Sequence, residues 1–410
     1  MIHWDLPGPN RFLEGVVESL GDGKHVLMVL PEPVRRCRPV SVLAKKLRAS
    51  GLGDVTGGPV SNLDDDPFDA LTNILGCHER MPGSIPELLN YPDAPSKFIS
   101  LDFGRGADGA GMKQWAQLLT QAAERAKQDV FPPYQLIVSI GPMSVLPPED
   151  LMLPHHVWWG VVTSADIDWV LERALINYPP SSTAEHYWIR SLSRGLSGSD
   201  MSLAQVLVEE MPPDIEAAFK ILGARIGDSS ITTNSLSDED VLFVPYGKRL
   251  SPPPRDDLGK NLWELGQLDW INGRGKVVHS VLLAAAGNNA EIKRRIWVAQ
   301  LELLLPLVER IRLSLISWIE SKVGKDWIDK LTENLSAIDR DDIETEIGTL
   351  AYHVFRRVSR LSNHKEFPIL EKTVWAWRKI RNELAHGRFV PLPMLDDAWA
   401  SYEEFMAKCV

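Results

Sequence analysis

Four strand-length stretches in the first half of the chain are mostly apolar in continuous runs rather than at alternate positions, and this narrows the possible folds more than any other feature. They are residues 25–30, 97–101, 134–138 and 156–162. A strand with one wet face alternates apolar and polar residues, whereas a strand covered on both faces does not. Between these stretches, residues 39–49, 112–127 and 166–176 carry apolar side chains at helical spacing. Strand-helix alternation of this kind predicts an α/β domain, a parallel sheet with helices against it.

The order of elements from Gly8-Pro9-Asn10-Arg11-Phe12-Leu13, through a short helix to strand, loop and helix, resembles the start of P-loop ATPase domains of the AAA and STAND type. The loop that matters most departs from them. After the strand ending at Leu30, the chain reads Pro31-Glu32-Pro33-Val34-Arg35-Arg36-Cys37 where a Walker A loop would cradle phosphates. The prolines remove amide donors, and there is no Lys-Ser/Thr pair, so the phosphate nest and the magnesium-binding hydroxyl are both missing. Gly23-Lys24 precedes the strand and cannot replace them. The resemblance therefore implies a degenerate P-loop-like domain over residues 1–180 that does not turn over ATP. Arg35 and Arg36 could meet an anion at the start of the following helix, against the plainer reading of ordinary surface arginines.

Residues 182–228 have helical spacing, with Leu203, Val206, Leu207 and Met211 on one side and Ile215, Phe219 and Leu222 following Pro212-Pro213. Asp228 to Asp240 is Ser/Thr/Asp-rich, and Ser251-Pro252-Pro253-Pro254 is a stiff break. The run from Trp263 to Trp270, then Gly273-Arg274-Gly275 and Val277-Val278-His279, reads as a hairpin or wing. Residues 181–285 are thus expected to form a small middle domain, a helical lid or winged-helix subdomain. No strand signal interrupts 290–410, which predicts an all-α bundle. Leu301, Leu304, Leu305, Val308, Ile311, Leu315, Trp318 and Ile319 mark a long helix, and a second spans about 345–361. A third starts at Pro368 with Leu370, Val374, Trp377, Ile380 and Leu384 on one face.

At 410 residues, two or three such units are expected. The 44% apolar and 24% charged composition is that of a globular chain. No apolar run approaches the roughly 18 to 20 residues that cross a bilayer, and Met1-Ile2-His3-Trp4-Asp5 lacks the basic start of a secretory signal. Cys37, Cys77 and Cys409 show neither disulfide nor zinc spacing. A cytoplasmic, membrane-free protein without metal or other cofactor is the expectation. His155-His156 and His78-Glu79 lack a second spaced ligand pair and are not read as a metal site. The net charge of −11 disfavours general polyanion binding, yet the whole deficit lies before residue 290. Between His353 and Arg388 there are nine Lys and Arg against three Glu, a stretch able to attract phosphate.

The third helix closes on Arg381-Asn382-Glu383-Leu384-Ala385-His386, with Gly387 a natural left-handed cap and Pro391 and Pro393 barring continuation. Asn382 and His386, four residues apart, share a helical face, and Arg381 has the reach to join them. Arginine neutralises a phosphorane through charge-assisted contacts, and histidine, with an unperturbed pKa near 6.5, moves protons at neutral pH. Arg-x4-His at Arg274/His279 and Arg-x6-His at Arg357/His364 lack the following Asn and close no long amphipathic helix.

Here the chain resembles the HEPN family, whose ribonucleases carry Arg-x4–6-His, often with Asn after the arginine, within a helical bundle. Arg381, Asn382 and His386 match residue by residue, and the helix beginning Arg294-Arg295-Ile296-Trp297 is similar to the leading helix of these domains. The resemblance covers residues 290–410 and implies metal-independent RNA cleavage by the ribose 2′-hydroxyl, at a site that two copies complete, hence a homodimer. Phe389 stands where some relatives carry a tyrosine that a partner nucleotidylates, and it has no hydroxyl.

Glu309 and Arg312 of the leading helix are weaker candidates to support the site, against the plainer reading of a surface ion pair. Arg378, Lys379 and Arg388 are weak candidates for RNA contacts. Two functions stay open, beside a third, an ATP-driven switch, that would require saturable nucleotide binding despite residues 31–37. One is an endoribonuclease of a prokaryotic defence or toxin system, controlled by the N-terminal domain. The other is a catalytically silent scaffold that assembles partner proteins of such a system.

Overall fold

The computed structural model describes residues 2–60, 66–77, 82–103, 110–128, 132–226, 252–271, 275–324, 347–351 and 364–409. In chain order the elements are α1 (Pro7–Gly21), β1 (Val26–Val29), α2 (Glu32–Arg35), α3 (Pro39–Ala49), β2 (Val55–Val60), α4 (Pro67–Leu75), α5 (Ile85–Leu89), β3 (Phe98–Phe103), α6 (Ala110–Ala126), β4 (Gln135–Ile140) and β5 (His155–Val157). Then come α7 (Ser164–Asn177), α8 (Thr183–Ser197), α9 (Met201–Glu210), α10 (Ile215–Ile226), α11 (Asp257–Glu264), β6 (Leu268–Ile271), β7 (Gly275–Val278), α12 (Ser280–Ala285), α13 (Asn289–Val323), α14 (Phe367–Ala385) and α15 (Leu392–Cys409). The chain divides into two compact units, one of residues 1–167 and 234–279, the other of 168–233 and 280–410.

The first unit is built on a five-stranded, wholly parallel sheet in the order β2-β3-β4-β1-β5. β1 and β4 are buried at every position, as their mostly apolar sequences lead one to expect, with Gln135 and Ser139 the buried polar residues of β4. Of the fourth apolar stretch only His156 and Val157 are strand, within β5. Trp158 still donates its N–H to Val29 O at 2.9 Å, and Gly160 then turns the chain away with φ of +70°. β2 has no counterpart in the sequence reading. It is an edge strand of sequence Val-Thr-Gly-Gly-Pro-Val, and it tolerates Pro59 because an edge leaves one side of the backbone unpaired. Gly57 there has φ of +134°, and a Cβ would lie 2.1 Å from Ser100 O, so no other residue fits.

Residues 257–278 belong to the same unit. β6 and β7 pair antiparallel, Leu268 opposite Val278, as the expected hairpin. Trp263 Nε1 donates to Trp158 O at 2.9 Å, and Asp269 accepts from Gly160 N–H at 3.1 Å.

All regular elements described in the second unit are helices. α13 is the spine: Asn288 caps it by accepting from Glu291 N–H at 3.1 Å, and it runs 35 residues through Pro306. Its buried stripe includes Ile292, Ile296, Leu304, Val308, Ile311, Leu315 and Ile319. α8, α14 and α15 pack around it. The helix expected over 345–361 lies mostly outside the described residues, as do His78, Glu79, Arg274, His353, Arg357 and the Ser/Thr/Asp-rich stretch after Asp228. Among the described residues, no helix is long and apolar enough to cross a membrane.

Candidate active site

α14 buries Leu370, Thr373, Val374, Trp377, Ile380 and Leu384, an i, i+3, i+4 stripe that fixes how the helix rolls against its neighbours. Its end is a Schellman turn. Gly387 sits at φ of +73°, its N–H reaches Leu384 O at 3.2 Å, and Arg388 N–H reaches Glu383 O at 2.9 Å. His386 is the cap residue, with its N–H on Asn382 O at 3.0 Å.

Two residues of α13 hold this end in place. Trp297 Nε1 donates to Leu384 O at 2.8 Å. Gln300, fully buried, donates to Val390 O at 2.8 Å and accepts from Val390 N–H at 2.6 Å, stapling the chain just past the turn. Neither residue was singled out from sequence. A glutamine in line with the apolar stripe Ile292, Ile296, Leu304 was the available signal, since a buried amide requires partners.

Arg381 and Ala385 face α13 across a groove of about 670 Å³, whose other wall includes Leu301, Leu305, Glu309 and Arg312. Arg312 Nε donates to both carboxylate oxygens of Glu309 at 2.9 Å, and its Nη2 meets Oε1. That hydrogen bonding holds the Glu309 carboxyl below its usual range. Glu309 thus forms the ion pair with Arg312 that the plainer sequence reading expected, and the pair lies in the groove with Arg381.

His386 does not line the groove. It is exposed, and Asn382 is half-buried. Five residues of helix turn the chain by about 140° beyond one revolution, so Arg381 and His386 leave α14 in different directions. Asn382 shares the face of His386, together with exposed Lys379. Arg378 lies with its guanidinium carbon 4.7 Å from the Trp375 ring centroid, and Arg388, 70% exposed, is 3.9 Å from Glu383. One copy therefore gathers Arg381, Glu309 and Arg312 in a groove, and sets Asn382 and His386 on an adjoining surface.

At the carboxyl end of the sheet, the sequence expectation for Arg35 needs correction. Arg36 is a surface residue, 75% exposed and paired with Glu32, but the Arg35 side chain is only 8% exposed. Arg35 donates to Phe103 O at 3.1 Å and is ion-paired with Glu264, itself 6% exposed. α2 turns Arg35 inward over the strand ends, while Arg36, one residue on, falls on the outer side. Burial raises the Asp102 carboxyl above its usual range, opposed by the neighbouring Ser139 hydroxyl and the Arg35 charge. Open α/β sheets take ligands at the carboxyl ends of their strands, and here Arg35 and Glu264 form a buried ion pair beside β3. His156, on β5, has Nε2 at 3.0 Å from Ser19 Oγ.

No protein-family model matches the chain, and a search of curated proteins finds no match.

Proposed function

We propose that the chain is an endoribonuclease of a prokaryotic defence or toxin system, with a HEPN-like site on residues 290–410 and a degenerate P-loop-like N-terminal domain that controls it. The observation that carries the reading is the Arg-Asn-x3-His sequence closing a long amphipathic helix at a glycine turn, with Arg381 opening on a groove against α13. In the reaction, the ribose 2′-hydroxyl gives up its proton and forms a bond to the adjacent phosphorus. The bond from phosphorus to the 5′-oxygen breaks, and that oxygen takes a proton, leaving a cyclic phosphate and a 5′-hydroxyl. His386 moves a proton, Arg381 neutralises the phosphorane, and Asn382 orients the imidazole or a phosphoryl oxygen. Because Arg381 and His386 diverge within one copy, the site is composite, with each cleft taking residues from two copies of a homodimer.

The test is incubation of purified protein with total RNA in excess chelator, followed by analysis of the ends. Cyclic phosphate and 5′-hydroxyl ends that vanish with Arg381→Ala and His386→Ala support the nuclease. The same divergence of Arg381 from His386 favours a second reading, a silent scaffold within a defence complex. Expression that arrests growth in wild type but not in either variant decides against it. For the N-terminal domain, prolines in the first loop and the internal pairing of Arg35 argue against nucleotide turnover, and calorimetry with ATP and magnesium should show no binding heat.

A further inference from the structure

We propose that Trp375 and Arg378 form a stacking platform for single-stranded RNA, which holds a base of the strand whose phosphate reaches His386. This inference rests on the nuclease reading and names a substrate-binding residue that the motif does not contain. Trp375, Arg378, Lys379, Asn382 and His386 follow at i, i+3, i+4, i+7 and i+11, so they form one stripe on the outer face of α14. Trp377, two residues on, is fully buried and donates to Ala398 O at 3.0 Å, whereas Trp375 is 37% exposed. Core packing therefore accounts for one indole and leaves the other unexplained. The Arg378 guanidinium over the Trp375 ring pairs a cation with a π-face, the combination that binds bases and their backbone without reading sequence. Lys379 continues the positive charge toward Asn382 and His386, and Trp375 lies about 16 Å along the helix from His386 at about 1.5 Å per residue. Glu371, one turn before Trp375, gives the stripe an acidic end, so the polyanion runs from the indole toward the histidine.

A fluorescently labelled single-stranded DNA oligonucleotide, which lacks the attacking 2′-hydroxyl, reads binding to the full chain without chemistry. Trp375→Ala should weaken that binding by roughly tenfold, within the about 5- to 150-fold that one base stack is worth. Trp375→Phe, which keeps a π-face, should stay within about threefold of wild type, and Trp375→Leu should resemble the alanine variant. Unchanged binding by Trp375→Ala, or full binding by Trp375→Leu at an unchanged melting temperature, overturns the platform. A loss confined to self-association or to protein partners also overturns it. The two readings fail separately: Trp375-dependent binding with RNA left intact sinks the nuclease alone, and undiminished binding by an active Trp375→Ala protein sinks the platform alone.

Discussion

Arg35 and Arg36 are adjacent in sequence and contribute very differently to stability. The exposed Arg36–Glu32 pair contributes on the order of 0–1 kcal/mol, since water screens it. Breaking the buried Arg35–Glu264 pair leaves a charge with no solvent, so Glu264→Ala should destabilise the first unit by about 3–5 kcal/mol in urea unfolding. The double change Arg35→Met with Glu264→Leu should recover most of that loss. A double variant no more stable than Glu264→Ala would show that the ion pair is not the cause. This contrast was not legible in the sequence, because a single helical turn after β1 decides which arginine points inward. The partner lies 229 residues away, a distance that no local pattern spans. Arg381, Asn382 and His386 were legible as a motif, but their divergence around α14 follows from the roll imposed by its buried face.

At the scale of elements, the first, third and fourth strands stood out because burial on both sides leaves a mostly apolar run, and the flanking helices because their apolar residues recur at helical spacing. β2 did not, because two glycines and a proline carry no strand signal and the strand is needed only at an edge. The end of α14 was readable from Gly387, and its anchoring on Gln300 was not. Gly387→Ala should cost about 1 kcal/mol, because the left-handed backbone disfavours a Cβ even where nothing lies within 4 Å of one. Gln300→Ala removes both partners of the Val390 backbone groups and should cost about 2–4 kcal/mol. Thermal melting checks both. If Gln300 positions the site, Gln300→Ala should also reduce RNA cleavage more than Gly387→Ala does at matched folded fraction. Equal activities would confine its role to stability.

The molecule as a whole should lose stability as the medium is acidified from neutral. His25 is fully buried, accepts from Leu136 N–H at 2.9 Å, and has its pKa lowered by burial from 6.5 to about 4. Its neutral form belongs to the folded state, so below pH 6.5 the unfolded chain takes up a proton that the fold refuses. The associated stability is complete above pH 6.5 and is lost progressively down to about pH 4, by about 3 kcal/mol in all. Burial lowers His155, His156 and His186 in the same direction. Melting curves across this window should slope less for His25→Gln, which retains an acceptor, than for wild type, and parallel slopes would remove His25 from the cause. The division into units crosses chain order. Residues 257–278 return to the sheet and residues 183–226 group with the C-terminal helices, a braid that a reading in chain order cannot anticipate. The proposed composite site belongs to this largest scale, and subunit mixing tests it. Arg381→Ala and His386→Ala proteins, each inactive on RNA in excess chelator, are mixed in equal amounts and allowed to exchange subunits. A heterodimer then holds one cleft with both residues intact, so cleavage should return to about a quarter of wild type. A mixture as inactive as its parents beside an active wild type, or parents that cleave as fast as wild type, would contradict a site shared between two copies.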